Sequence, residues 1–344
     1  MELVYSDVES RRFGLRVFRA ALEDVDADGL RTALLDGRAD VAICRLPAVR
    51  LCRLAELETL GLPVVVADTL VHYSRELARA PGPLRNRDLD LAEGGEGDDG
   101  VVRFLVEGTF PGYVNHYASN RVLDRRDILE GYVEWATGYL GRAPEKRVWI
   151  ARRAGEPVAL ATCRYEGETA EGVLFGVLPR ASGQGVYRDL IRFTMSDAAR
   201  RGCTRMHVST QVHNLAVQKV WAEEGFVMRS AQATFHINAL LDSSSPEAVT
   251  ADVEAGDEPG WVDREVRCLL GGVSPGLLKW LVGVRQWSAV PAPDAGEPCR
   301  LRVGFPVTRG LGPAVVAQVS DRAGALRHLA YYQAAGEPGE PGGR

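Results

Sequence analysis

The run Val173–Leu178, followed by Arg180-Ala-Ser-Gly-Gln-Gly185 and a helical stretch from Val186 to Arg201, constrains this chain more than any other feature. A short apolar run beside a glycine turn reads as a buried strand, and Leu190, Ile191, Phe193, Thr194 and Ala198 are available for one apolar helix face. Strand, glycine turn and helix start follow one another directly. Glycines let the backbone approach a ligand closely. The free amides of the first helical turn, with the positive end of the helix dipole, suit an anion. The dipole would contribute roughly 0.3–1 kcal/mol, and several amide hydrogen bonds would set the position. Pyrophosphate is the obvious candidate. Taken alone, the six residues are better read as an ordinary glycine turn that binds nothing. A dinucleotide fold is a further alternative, but the spacing is not GxGxxG, and the loop follows a hairpin and a strand instead of opening a βαβ unit.

The surroundings of this turn narrow the choice. Upstream, Val101–Val106 reads as a strand and Arg125 to Leu140 as a helix. Strand-like Arg147–Arg152 and Ala159–Glu166 flank the turn Ala154-Gly-Glu-Pro, which predicts a hairpin. Downstream come strand-like Arg205–Thr210, then Gln211-Val-His-Asn214, a helix over Ala216–Glu223, and Gly225-Phe226 leading to two final strands. The whole stretch from Val173 to Ile237 resembles the GCN5-related N-acetyltransferase (GNAT) superfamily. That resemblance implies an α/β acyl-CoA N-acyltransferase fold, a mixed sheet with flanking helices. It places acetyl-CoA or another acyl-CoA in the splay between two parallel strands, with the pyrophosphate on the amides of Arg180–Val186. The cofactor-binding residues it implies are Gly176, Val177, Leu178, Arg180, Gly183, Gln184, Gly185, Val186, Tyr187 and Asn214. Leu178 and the neighbouring backbone would polarise the thioester carbonyl, and no metal is needed. Asn214 also reads as an organiser of the strand-to-helix turn.

Within the superfamily the pattern is closer to the dTDP-fucosamine acetyltransferase group, which acts on nucleotide-linked amino sugars. The likeness rests on Asp7-Val-Glu-Ser-Arg-Arg-Phe-Gly14, on Phe110 to Trp135 with Tyr113, His116, Tyr117, Tyr132 and Trp135, and on Ser209-Thr-Gln-Val-His-Asn214. One departure matters. The superfamily often carries a tyrosine seven residues after the asparagine, where its hydroxyl protonates the departing thiolate; here that position is Trp221. An indole N–H donates a hydrogen bond but is too weak an acid to replace a phenol. Tyr187, His213 and water are the alternative proton sources, and a surface loop histidine is the plainer reading of His213. An acceptor amine must lose a proton before attack, so a carboxylate, a histidine or a water chain is expected near the thioester. Strand Val173–Leu178 holds no acid. By analogy His116 and Tyr117 line the acceptor pocket, with core packing the alternative for Tyr117; His207 has no chemical duty.

The remaining chain divides at two composition breaks. Pro81–Gly100 contains Glu93-Gly-Gly-Glu-Gly-Asp-Asp-Gly, and Asp242–Gly260 opens with three serines; both read as surface connections. The expected organisation is a partial GNAT-like α/β subdomain over residues 1–80, a linker over 81–100, the acyltransferase domain over 101–238 and a linker over 239–260. A small α+β domain over 261–335 and a disordered tail over 336–344 follow. In the first segment, strand-like Arg16–Arg19 and Val41–Cys44 alternate with helical Asp28–Leu35 and Val49–Leu60, then strand-like Val64–Ala67 and Leu70–Tyr73. His72 and His236 stand at the same distance from Gly61 and Gly225, which makes segment one a shortened relative of segment two. In the third segment Arg264–Leu270 and Gly276–Val282 read as helical, and Val284–Val290, Cys299–Val307, Ala314–Ser320 and Ala325–Gln333 as strands, with Asp321-Arg-Ala-Gly a hairpin turn. This order is reminiscent of a hot-dog fold, a likeness of element order alone; a lid or dimerisation domain is the alternative.

Composition excludes some classes. The 344 residues carry a formal charge of −5, and the only lysines are Lys146, Lys219 and Lys279, so no general basic surface is available for a nucleic-acid partner. The acidic start has no secretory head, and no run approaches a membrane helix. Six scattered cysteines form no CxxC pair. Cytoplasmic residence with reduced thiols is the simplest reading. The function expected is N-acylation of a small-molecule amine, with a nucleotide-linked amino sugar as one acceptor. The alternative is another thioester-handling role: carrier-protein loading, decarboxylation or hydrolysis. A homodimer and an acyl carrier protein as donor both stay open.

Overall fold

The computed structural model describes residues 2–141, 143–241, 248–273, 281–289, 292–304 and 314–334. Two compact units result: Met1–Val66 with Asn120–Asp124 and Phe235–Arg344, and Ala67–Ser119 with Arg125–Thr234. The first part of the chain forms β1 (Val4–Tyr5), α1 (Asp7–Phe13), β2 (Val17–Ala21), α2 (Ala27–Gly37), β3 (Val41–Pro47), β4 (Val64–Glu76) and β5 (Leu89–Glu93). Next come α3 (Asp99–Thr109), α4 (Arg125–Thr137), β6 (Lys146–Arg153), β7 (Glu156–Glu166), β8 (Thr169–Val177), α5 (Val186–Arg200), β9 (Arg205–Gln211), α6 (Leu215–Glu223) and β10 (Val227–Asn238). The last part holds β11 (Val249–Glu254), α7 (Trp261–Val273), β12 (Leu281–Ser288), β13 (Pro298–Gly304), β14 (Ala314–Asp321) and β15 (Leu326–Ala334).

The second unit is built on a mixed sheet in the order β4-β9-β8-β7-β6-β5, in which only β8 and β9 run parallel. Strand alternation supplies both faces. Val148, Ile150, Leu160 and Leu174 pack with Val102, Leu105 and Val106 of α3 and Val133 and Ala136 of α4. Trp149, Ala151, Ala159, Ala161 and Cys163 point the other way and pack with Val186 and Leu190 of α5. A sheet covered on both sides needs apolar residues on both, which explains the near-continuous apolar runs of β6 and β7.

In the first unit β1 pairs antiparallel with β2, and β2 parallel with β3. Leu30 and Leu34 of α2 share a core with Phe18, Ala42, Leu57, Leu60, Phe235 and Ile237. An antiparallel sheet in the order β11-β13-β14-β15-β12 belongs to the same unit. Its Leu301, Val303, Val315, Ala317 and Val319 pack with Val262, Val266 and Leu270 of α7, while Val316, Leu329 and Tyr331 join the core around α2.

Several elements differ from the sequence reading. Val101–Val106 is not a strand but lies inside α3. Its buried Val102, Leu105 and Val106 follow helical spacing while Phe104 is half exposed, so the helical period overrides the strand preference of its valines. Val64–Ala67 and Leu70–Tyr73 form one strand, β4, which runs straight through Asp68 and Thr69, and the two strands expected after Phe226 are one, β10. Ala48–Leu60 winds as 3₁₀ turns rather than as an α-helix. The stretch read as the first connection contains β5, paired with β6, and the second contains β11, paired with β13. Most of the helix expected over Gly276–Val282, and the tail 336–344, lie outside the described residues.

Candidate acyl-thioester site

The parallel pair at the centre of the second unit comes apart. β8 and β9 are in register at Thr169–Arg205, Ala170–Met206, Glu171–His207 and Gly172–Val208, and the pairing stops there. Beyond it β8 keeps pairing with β7 as far as Val177, and β9 keeps pairing with β4 as far as Gln211. The two strands therefore follow different neighbours and open a gap between them. A bulge marks the point of departure: Thr162 faces Leu174 and Cys163 faces Gly172, leaving Val173 unpaired. The Leu174 amide is satisfied instead by the Thr162 hydroxyl at 3.0 Å. Gly172 is required here, because a Cβ would fall 2.7 Å from the Phe175 ring and 2.9 Å from Met206.

At the mouth of the gap, Leu178 donates its amide to Val158, and a 3₁₀ turn over Pro179–Ala181 leads to Gly183 and Gly185, both with positive φ (75° and 82°). Gly185 caps α5, so the amides of its first turn have no acceptor within the helix. Gln184 ties the turn together through Nε2 to the Arg180 carbonyl, and its Oε1 accepts from Arg153 at 2.6 Å. Arg180 itself donates to the Pro157 carbonyl. A feature the sequence did not announce supports this turn. Asp189 is fully buried and accepts from the Arg85 and Asn86 amides (2.8 and 2.9 Å) and from Asn86 Nδ2 (2.7 Å).

On the β9 side, Asn214 precedes α6 and donates Nδ2 to Thr210 Oγ1 at 3.1 Å, which organises the turn. His213 is exposed in that turn. Trp221 is 2% exposed and packs against Tyr73 (ring centroids 5.4 Å apart) and Phe226. Tyr187, in the first turn of α5, lies beside Phe175, and desolvation raises its phenol above the ordinary range. The indole of Trp221 is near enough to oppose that rise, yet its Nε1 has no partner in hydrogen-bonding geometry. Tyr187 and Trp221 are thus brought together, while His213 is exposed to solvent.

A third cluster occupies the end of α3 and the segment after it. Phe110 stacks on Tyr132 (5.2 Å) and meets Tyr113 edge-on (5.5 Å). The Tyr113 hydroxyl bonds to the Gln211 side chain at the end of β9, and Asn115 Nδ2 donates to the Tyr132 hydroxyl at 3.0 Å. Desolvation raises both phenols, opposed at Tyr113 by Thr210 and Asn214 and reinforced at both by the charge of Asp68. His116 and Tyr117 lie with their rings 3.8 Å apart, and Tyr117 is close enough to Tyr132 to affect its titration. The cluster reaches β8: a Cβ at Gly176 would lie 3.1 Å from both Phe110 and Thr109.

Residues 113–226 match the sequence profile of the acetyltransferase (GNAT) family. This stretch is a GNAT acetyltransferase domain. The reaction of that family is acyl-CoA-dependent N-acetyl transfer, and its acyl-CoA N-acyltransferase fold is the one described above for the second unit. Among solved structures, the chain resembles a GCN5-related N-acetyltransferase from Sphaerobacter thermophilus at 13% identity, covering 57% of this chain and 59% of that one, with a TM-score of 0.42. One from Kribbella flavida is similar at 13% identity over 65% of this chain and 81% of that one, with a TM-score of 0.46. A GNAT-family acetyltransferase from Colwellia psychrerythraea gives 16% identity, 61% and 71% coverage and a TM-score of 0.40. No curated protein matches the sequence. Among the described residues, no helix is long and apolar enough to cross a membrane.

Proposed function

We propose that this chain transfers an acetyl or other short acyl group from acyl-CoA to the amine of a small molecule, by direct attack of the amine on the thioester carbonyl. The observation that carries the reading is the parting of β8 and β9 beyond Gly172–Val208, with the open amides of the Gly183–Val186 turn at its mouth. The residues fit such a donor. Gly183 and Gly185 hold a backbone that bares amides toward a pyrophosphate, Gly176, Val177 and Leu178 edge the gap, and Tyr187 and Trp221 set a phenol and an unpartnered indole N–H inside the domain. Asn214 shapes the opposite edge, and Arg180 and Gln184 brace the turn.

In this reading the Tyr187 phenol is the acid for the departing thiolate, with Trp221 donating a hydrogen bond beside it. Desolvation raises the phenol pKa, which keeps it protonated but weakens it as an acid, and the Trp221 N–H beside it opposes that rise by favouring the phenolate that forms. The aromatic cluster with His116 and Tyr117 receives the acceptor. The likeness to the dTDP-fucosamine acetyltransferase group, carried by Phe110–Trp135, makes a nucleotide-linked amino sugar the first acceptor to try. Calorimetric titration with CoA and acetyl-CoA tests the donor site. Micromolar binding is expected, and Gly185→Val is expected to weaken it by tenfold or more while the fold persists. That substitution forces a β-branched residue to a φ of 82°, with its Cβ 3.6 Å from Asn86. Equal loss of binding and folding, or no binding by the unaltered protein, counts against the assignment.

A further inference from the structure

Arg125, Ile128, Leu129 and Tyr132 stand at the helical spacing of one face of α4, which begins at Arg125. With Phe110 and Tyr113 they line a recess of about 90 Å³ in the second unit. One water needs about 10–15 Å³ of such space, so the recess takes a group about the size of a six-membered ring. Its lining residues touch both strands that flank the gap. Phe110 lies 3.1 Å from where a Cβ at Gly176 of β8 would stand, and the Tyr113 hydroxyl bonds to the Gln211 side chain at the end of β9. Arg125 is the one charged residue of the lining; it is exposed, and among the described residues its guanidinium makes no hydrogen bond or ion pair. The acids of the same helix lie off this face. Glu130 is held by Arg103 at 2.8 Å, and Asp127 stands between Arg125 and Ile128 in the first turn. Asp68, whose charge reaches Tyr113 and Tyr132, is not part of the lining.

We propose that Arg125 selects the acceptor by an anionic substituent, so that the molecule acylated carries a carboxylate or a phosphate as well as its amine. This rests on the acyl-transfer reading above and deepens it. A guanidinium at the rim of an aromatic and apolar recess offers a forked donor to such an oxyanion, while the recess takes the ring or apolar body of the same molecule. The amine is then directed to the gap edged by Gly176 and Gln211. An acceptor without the anion leaves the guanidinium in water, where it is already satisfied. Selection is therefore a gain for the charged acceptor and not a barrier to the neutral one, and the open rim keeps that gain modest. A nucleotide-linked amino sugar belongs to this class through its diphosphate, and an amino acid with a ring in its side chain belongs to it through its carboxylate.

The test follows thiol release from acetyl-CoA with two matched pairs of amines: phenethylamine against phenylalanine, which adds a carboxylate, and tyramine against its O-phosphate. At least one anionic member is expected to exceed its neutral partner in kcat/KM by about five- to tenfold, the range of one charge-assisted contact at an open rim. The preferred pair tells carboxylate from phosphate. Arg125→Gln should remove the advantage by raising KM for the anionic amine by the same factor with kcat kept, while the neutral partner and the acetyl-CoA affinity read by calorimetry stay as they were. Arg125→Lys, which keeps the charge without the fork, should retain part of the preference. Added salt should erode it in the unaltered protein and change nothing in Arg125→Gln. Both variants should unfold at the original denaturant concentration, because the guanidinium is exposed and makes no contact that the fold would miss. Three results overturn the inference: equal use of both members of both pairs, a preference that survives in Arg125→Gln, or acetyl-CoA binding with no amine acetylated. Failure of the unaltered protein to bind acetyl-CoA would overturn the acyl-transfer reading itself, and this one with it.

Discussion

Asp189 shows how one side chain fixes a turn that it does not enter. Its two oxygens accept three hydrogen bonds from Arg85 and Asn86, while Asn86 Nδ2 also donates to the Gln184 carbonyl and Asn86 Oδ1 accepts from Arg153. Replacing Asp189 with alanine leaves those donors unmet in a buried place, at about 1–3 kcal/mol for each that finds no water. Amide exchange over residues 85–89 should then quicken by roughly ten- to a hundredfold, and CoA affinity should fall with it. Exchange measured by mass spectrometry decides the matter, and unchanged protection would show the clasp to be incidental. Little of this was legible beforehand. An acidic residue in the first turn of a helix reads as a partner of the helix dipole, and the strap that saturates it lies about a hundred residues upstream by sequence. Arg125 is equally silent, one of two arginines that open α4. Trp221, by contrast, announced itself as a departure, because the helix around it has a recognisable spacing.

At the scale of elements, the opening between β8 and β9 depends on the bulge at Val173, and the bulge on the Thr162 hydroxyl. Thr162→Val keeps the shape of that side chain, which is 1% exposed, but removes the acceptor of the Leu174 amide. A loss of about 1–3 kcal/mol in stability is expected, together with weaker CoA binding as β8 straightens toward β9. Denaturant unfolding and calorimetry on the same variant read the two effects, and unaltered affinity would separate the bulge from the site. β8 and β9 themselves were readable from their apolar runs and flanking turn residues, as was α5 from its apolar face, whereas β5 and β11 read as connections. Among the helices, α3 was not resolved by sequence. Val101-Val-Arg-Phe-Leu-Val106 satisfies both periods, and the choice falls to the sheet, which already has its strands and needs a covering layer over Val148, Ile150 and Leu160. The bulge left no mark either, since pairing geometry belongs to two strands at once.

For the whole molecule, titration distinguishes the first unit. His236 has no exposed surface, its Nδ1 lies 3.0 Å from Asn120 Nδ2, and Asn120 and Asn238 exchange two further hydrogen bonds. Burial pulls its pKa from 6.5 down to about 4, the charge of Glu9 opposing and that of Arg19 reinforcing the change. His328, with Nδ1 2.6 Å from Ser288 Oγ, is pulled down to about 4 by burial alone. Both belong to the same unit. In the unfolded chain each takes up its proton near 6.5 and in the folded unit near 4, so between those values the unfolded state binds more protons. Stability is therefore level above pH 6.5, falls as the pH drops through the window, and levels again below 4 as far as these two groups are concerned. Each contributes at most about 3 kcal/mol to that fall. Exchange protection of the first unit, corrected for the intrinsic rate, should decline between neutral pH and pH about 4.5. His236→Gln, whose amide oxygen can still accept from Asn120, should flatten the decline by removing one titrating group. A variant with the same acid slope as the original would mean that His236 takes up its proton in the folded unit as readily as in the unfolded chain, and that the asparagine pair accommodates an imidazolium.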